Sequence, residues 1–243
     1  MAYVNAPVRK KDAMSLVTGK PVYVEDQIPK NALVIKLLRS PHANAFITSI
    51  DKTAAMKVPG VVCILTHEDA PKSRFTTAGQ TYPEPSPYDR LILDRHLRCA
   101  GDPVAIVAAE TAQAAERAVR MIKVKYDVHE PLLDFRKAKD NPILVHPEDD
   151  FKALCPVGAD NKRNLCSTDV FEIGDVEKEL AACDVVCSRT YHTKANSQAM
   201  METFRTFTYF DEYGRLTELS STQVPFHVRR ILSNALEIKK SQI

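Results

Sequence analysis

Apolar runs broken by short polar stretches dominate the first half of the chain, and their spacing predicts strands more often than helices. ALVIKLLR (32–39) and AFITSID (45–51) read as two strands separated by SPHANA. DKTAAMK (51–57) reads as a short helix with Asp51 at its N-cap, and PGVVCILT (59–66) as a third strand opened by a Pro-Gly turn. That order of strand, helix and strand marks an α/β unit. Residues 67–98 read as one long loop, because Pro71, Pro83, Pro85, Pro87 and, just beyond, Pro103 remove backbone donors. The clearest segment is CAGDPVAIVAAETAQAAERAVRMIKVKYDV (99–128). PVAIVAAE is a buried strand, and TAQAAERAVRMI is a helix capped by Thr111, with Ala115, Val119 and Ile122 at helical spacing. IKVKYDV then alternates as a further strand, so the segment reads as a βαβ-type unit.

After EPLLD (130–134) the pattern dissolves until about residue 168, in a stretch rich in Pro, Asp, Asn and Lys that reads as a linker. GDVEKELAAC (174–183) reads as a short helix and VVCSRTYHT (185–193) as a strand. Residues 203–223 read as a β-hairpin with Asp211 to Gly214 as its turn. PFHVRRILSNALEI closes the chain as an amphipathic helix, with Pro225 at N1 and an apolar stripe of Val228, Ile231, Leu232, Ala235 and Leu236.

Composition narrows the class. Hydrophobic residues are 44% and charged residues 26%, an ordinary globular balance. The net charge of +2 is too small for a nucleic-acid footprint. No apolar run has the length of a membrane span, and no apolar core follows the basic residues near Met1, so the chain reads as cytoplasmic. The six cysteines, at 63, 99, 155, 166, 183 and 187, form no CxxC pair and read as reduced, small buried hydrophobes. Seven glycines and the lack of GxxxxGK, GxGxxG, GxSxG and HExxH argue against a phosphate-cradling loop or a self-contained catalytic motif.

A few polar residues stand out. His42 reads as a hydrogen-bonded structural histidine, and His227, in the first turn of the last helix, as a solvated one. Glu202 in QAMMETF, between methionines and an aromatic strand, is a candidate buried carboxylate; its plainer reading is an ion pair with Arg205 or Lys194. Gln223 stands where a strand ends and a helix begins. In α/β architectures ligands favour such places, and an amide offers both donors and an acceptor. The plainer reading is that Gln223 caps the helix.

These segments, taken in order, resemble the molybdenum-binding large subunit of the xanthine dehydrogenase/aldehyde oxidase family of molybdenum hydroxylases. TGKPVYVEDQIP, LRSPHANAFITSID, AAMKVPGVVCILTHEDAP, CAGDPVAIVAAETAQAAERA and VKYDVHEPLLD resemble its hammerhead domain. QAMMETF and YGRLTELSSTQVPFHVRRIL resemble the opening of its first molybdopterin domain, and GQTYPEPSPYD is similar to xanthine-dehydrogenase-like bacterial members. The resemblance implies an α/β (α+β) fold: a hammerhead-like domain over 1–134, a linker over 135–168 and the truncated start of a molybdopterin-binding domain over 169–243. It implies a molybdopterin cofactor carrying molybdenum in the complete enzyme, and hydroxylation of a heterocycle or aldehyde with oxygen from water. Electrons leave through iron–sulfur and FAD subunits. The STQ glutamine of the family, by motif match Gln223, lies by the oxo ligand of the metal.

The family's Gly-rich cofactor segment and its glutamate base lie beyond this point in the large subunit, and neither has a counterpart in these 243 residues. The expectation is therefore a piece of a subunit or half of a split one, with Met1 as a natural start. It would bind no cofactor alone, and it assigns no residue to catalysis or metal ligation. Its partners are the remaining molybdopterin-domain polypeptide and the iron–sulfur and FAD subunits, and the apolar face of 226–238 would drive association. The rival readings are a scaffold module that kept the hammerhead domain without catalysis, and a small-ligand binder using the 79–89 loop.

Overall fold

The computed structural model describes residues 4–20, 23–77 and 81–243. The expected start at Met1, Pro21 of the VTGKP turn, and Gly79 and Gln80 of the 79–89 loop lie outside the described residues. In chain order the first elements are α1 (Ala13–Val17), β1 (Val34–Arg39), β2 (Ala45–Asp51), α2 (Thr53–Met56), β3 (Val61–Thr66), β4 (Pro87–Tyr88), β5 (His96–Leu97) and β6 (Pro103–Ala109). They are followed by α3 (Ala112–Met121), β7 (Lys123–Val128), β8 (Lys152–Ala153), α4 (Val176–Ala181), β9 (Thr206–Phe210), β10 (Leu216–Ser220) and α5 (Pro225–Leu236). The chain divides into two compact units, Leu33–Ala199 with Val224–Lys240, and Met1–Ala32 with Met200–Gln223 and Ser241–Ile243.

The larger unit is organised by β6. It lies between β1 and β3 in one antiparallel sheet, with Ile106 facing Leu37 on one side and Leu65 on the other. Its period of two sends Ala105, Val107 and Ala109 into a core with Ala115, Ala118 and Ile122 of the α3 segment and Ala55 and Val58 beside α2. Val104 points into a second cluster with Ile47 and Leu97. β6 is apolar on both faces because both are covered. α3 forms as read: Thr111 Oγ1 accepts the Ala114 N–H at 3.1 Å, closing the first turn. Alanines on its inner face let it lie close to the sheet.

β6 and β7 do not form the expected βαβ-type unit, which would pair them in parallel. Both neighbours of β6 are antiparallel partners, so the chain leaving α3 enters a different sheet, in which β2 lies between β5 and β7. The connection through α2 likewise runs from β2 in the second sheet to β3 in the first. Gly60 makes the entry to β3 with φ +84°, and its carbonyl accepts the Glu110 N–H at 2.8 Å.

The expected loop over 67–98 contains β4 and β5, which pair with β8 and β2. Residues 135–168 are tied down by Asn164, whose amide donates to the Ala138 and Ile143 carbonyls at 3.0 and 2.9 Å, and by Arg163 on Asp140 at 2.6 Å. VVCSRTYHT is not a strand: residues 185–193 have no ladder partner and are exposed. The cysteines are free but none is buried; Cys63 and Cys155 are half-buried and the other four exposed.

In the smaller unit β9 and β10 form the expected hairpin, with Phe210 opposite Leu216 and Thr206 opposite Ser220. Asp211 Oδ1 accepts the N–H groups of Tyr213 and Arg215 at 2.9 and 2.8 Å, which closes the turn. Among the described residues no helix is long and apolar enough to cross a membrane.

Candidate functional site

The hairpin delivers the segment Ser220–Gln223. Ladder pairing ends at Ser220, and the Ser221 N–H still donates to the Arg205 carbonyl at 3.4 Å. Gln223 occupies the bend that follows and is exposed. It does not cap α5: the N-cap position is Val224, with no side-chain cap, and Pro225 opens the helix. Among the described residues no group is hydrogen-bonded to the Gln223 amide, so its two N–H groups and its carbonyl face solvent.

A cleft of about 640 Å³ lies in the same unit, beside this segment. Ser220, Ser221 and Thr222 line it together with Glu202, Glu218 and Phe204, and Gln223 directly follows the lining. Burial pushes the Glu218 carboxyl above the usual glutamate range. Glu202 is exposed, against the expectation of a buried carboxylate. Nor does it hold Arg205, which pairs with Glu25 at 2.5 Å.

Two buried polar clusters in the larger unit were not read from the sequence. In the first, Glu84 is 0% exposed and binds Arg230 of α5. Burial pushes its carboxyl up, but the Arg230 guanidinium and the Tyr88 hydroxyl more than offset this and hold it below the usual range. Burial and the Glu84 carboxylate raise the Tyr88 hydroxyl to about 12. His227 is buried rather than solvated, with Nδ1 at 2.7 Å from Arg230 Nη2. His42 packs edge-on against Tyr126 at 5.0 Å, and the exposed His192 lies in the strandless stretch.

The second cluster joins Asp94, His96 and Arg98 to Arg74, His146 and Glu148. Arg98 bridges Asp94 and Glu148. Burial, reinforced by Arg98, depresses His96 and His146 to about 4 each. Both rings are therefore neutral at pH 7, and their approaches to Glu148 are not ion pairs. His96, Arg98 and His146 also line a cavity of about 350 Å³. The one sequence signal was the spacing of Asp94, His96 and Arg98 at every second position, with His96 in β5 and the other two flanking it.

Among the described residues no group of three or more His, Cys, Asp or Glu side chains can hold a metal ion. For a molybdopterin cofactor the donor set fits one role: the solvent-facing Gln223 amide can hydrogen-bond to the group without ligating the metal.

The family model described as the aldehyde oxidase and xanthine dehydrogenase a/b hammerhead domain matches residues 18–130, and the one described as a molybdopterin cofactor-binding domain matches residues 157–243. A probable hypoxanthine oxidase of Escherichia coli O157:H7 is 37% identical over 96% of this chain and 27% of its own length. The xanthine dehydrogenase molybdenum-binding subunit of the same organism is 31% identical over 93% of this chain and 29% of its own. The aldehyde oxidoreductase of Desulfovibrio gigas superposes with a TM-score of 0.75 at 21% identity, over 96% of this chain and 25% of that one, a likeness of fold. The chain thus spans under a third of the length of each of these relatives. With a hammerhead domain followed by molybdopterin-domain sequence in one register, it belongs to the xanthine dehydrogenase/aldehyde oxidase family and matches part of a molybdopterin-binding large subunit.

Proposed function

We propose that these residues serve a cytoplasmic molybdenum hydroxylase that oxidises a small heterocycle or an aldehyde with oxygen from water. The active site is completed by the remaining molybdopterin-binding polypeptide, and iron–sulfur and FAD subunits carry electrons away. The observation that carries this reading is Gln223: an amide with no hydrogen-bond partner among the described residues, at a strand-to-helix turn, inside a stretch that matches a molybdopterin cofactor-binding domain.

When bound, the molybdenum cofactor supplies the two-electron oxidation of the substrate carbon. The chain's own part is limited. Gln223 donates a hydrogen bond to the cofactor, a supporting contact that orients the group rather than ligates it. The hammerhead part carries its own cores and serves as the structural base, with the domains running over 1–134 and 169–243 about a linker.

The test is substrate-dependent reduction of an artificial electron acceptor by the complex purified from its own host, in ¹⁸O-labelled water. Purines, quinolines and aldehydes form the substrate panel. The reading expects turnover of at least one class with label in the product. Label drawn from dioxygen, or no turnover of any class, would overturn it, and the second result favours a non-catalytic scaffold.

A further inference from the structure

Every residue from Cys166 to Ala199, a run within the larger unit, is exposed. The run is not polar throughout. Phe171 is 84% exposed and Ile173 78%, and in α4 Val176 and Leu180 are 47% and 44% exposed. Its backbone is shaped all the same. Gly174 turns the chain with φ +75°, and Asp175 Oδ1 accepts the Lys178 N–H at 3.0 Å, which starts α4. Val176 and Leu180, four positions apart, stand on one side of that helix. Single apolar residues in water are ordinary, but four large ones within ten positions mark a surface that another surface covers.

What covers it follows from the domain that the run belongs to. The stretch 157–243 matches a molybdopterin cofactor-binding domain. A folded domain has a core of its own. Among the described residues of 157–243 only His227 and Ala235 are buried. A second copy of this chain would bring the same stretch without that core. The relatives hold far more sequence, since the chain spans under a third of their length. The charge of the run states the chemistry of the covering surface. Asp169, Glu172, Asp175, Glu177, Glu179 and Asp184 stand among the apolar residues with one cation, Lys178, in a chain of net charge +2. Such a surface is complemented by Lys and Arg around an apolar floor.

We propose that residues 169–184 are a docking arm whose apolar anchors are Phe171, Ile173, Val176 and Leu180, and that it lies in a basic-rimmed apolar groove of the remaining molybdopterin-binding polypeptide. The mode is that of an amphipathic segment laid in a groove. The inference rests on the presence of that polypeptide in the complex, as proposed above, and adds which surface meets it and what chemistry the groove carries.

The experiment compares hydrogen exchange over 170–184 in this chain produced alone and in the complex from its own host. The variants are Ile173→Ser with Leu180→Ser, and Glu177→Lys with Glu179→Lys. Molybdenum content is measured, and native mass on dilution gives the dissociation constant of assembly. All four positions are exposed, so the variant chains keep the wild-type unfolding midpoint. In wild type, exchange over 170–184 slows about a hundredfold or more on assembly. The apolar pair weakens assembly about a hundredfold. The charge-reversed pair weakens it about tenfold at about 0.05 M salt and less at about 0.5 M, where the charges are screened. Exchange as fast in the complex as in the chain alone would overturn the docking arm, even in a complex that holds molybdenum. Apolar variants that assemble like wild type would overturn the anchors. Slowed exchange in a self-dimer of this chain would overturn the choice of occupant. Slowed exchange in a heavier complex without molybdenum would support the arm and overturn the molybdenum reading instead.

Discussion

His96 holds its Nδ1 3.7 Å from one carboxyl oxygen of Glu148, and His146 holds its own Nδ1 3.7 Å from the other. Both ring nitrogens and Glu148 Oε2 are buried without a hydrogen-bond partner. His96 Nε2 is engaged with Asn44 Oδ1 at 3.0 Å, so its proton sits there and its Nδ1 is a lone pair facing a carboxylate. Arg98 Nη2 donates to Glu148 Oε1 beside the two neutral rings.

This arrangement sets a pH dependence of stability. The groups facing the two rings are Glu148, Asp89, Asp94, Arg74, Arg98, Asp102 and His129. Both histidines titrate near 4 in the folded chain and near 6.5 once unfolded, so between these values the unfolded state binds more protons. Stability is full above about pH 6.5 and declines as pH falls toward 4, by up to about 1.4 kcal/mol per pH unit for each histidine. Denaturant titrations at pH 7 and pH 5 check this, with a lower midpoint expected at pH 5. His96→Gln keeps a polar side chain of similar size that does not titrate, and shrinks the difference.

The core gives a second expectation. Ile47 is 1% exposed and packs with Leu97 and Val104 between β2, β5 and β6. Ile47→Ala removes its buried methyl and methylene groups and leaves a cavity, a loss of about 2–5 kcal/mol. Urea unfolding followed by circular dichroism measures it. A loss under about 1 kcal/mol would mean that the cluster is not packed as described.

Much of this core was legible in the sequence. β2, β3, β6, β7, α3 and α5 announced themselves by period, because each has one face or two faces committed to burial. Sheet membership was not legible. The run 99–128 looks the same whether β6 and β7 pair or part, and the choice is made by β1 and β3, which take both edges of β6. The stretch 185–193 shows the converse: its composition suits a strand, yet strand structure needs a partner and none of the described residues supplies one. His227 looked solvated because its environment is set by Arg230 and by Glu84, which lies 146 positions from Arg230. Gln223 stood out by its place at a strand end, and the lack of a partner for its amide among the described residues became visible only in three dimensions.

That freedom makes Gln223→Ala a clean separation of function from stability. An exposed amide with no partner among the described residues contributes little to folding, so the unfolding free energy stays within about 0.5 kcal/mol of wild type. Activity of the assembled complex falls about 10–100-fold, the range for a group that supports a metal centre without ligating it. A stability loss above about 1 kcal/mol would show that Gln223 has a structural partner instead.

The most direct test of the account is the molybdenum and pterin content of the protein produced in its own host, measured together with native mass. The account predicts molybdenum and pterin held in an assembly heavier than this chain, with the rest of the molybdopterin-binding polypeptide present. A metal-free monomer or self-dimer would contradict it, and the cofactor contact assigned to Gln223 would fall with it.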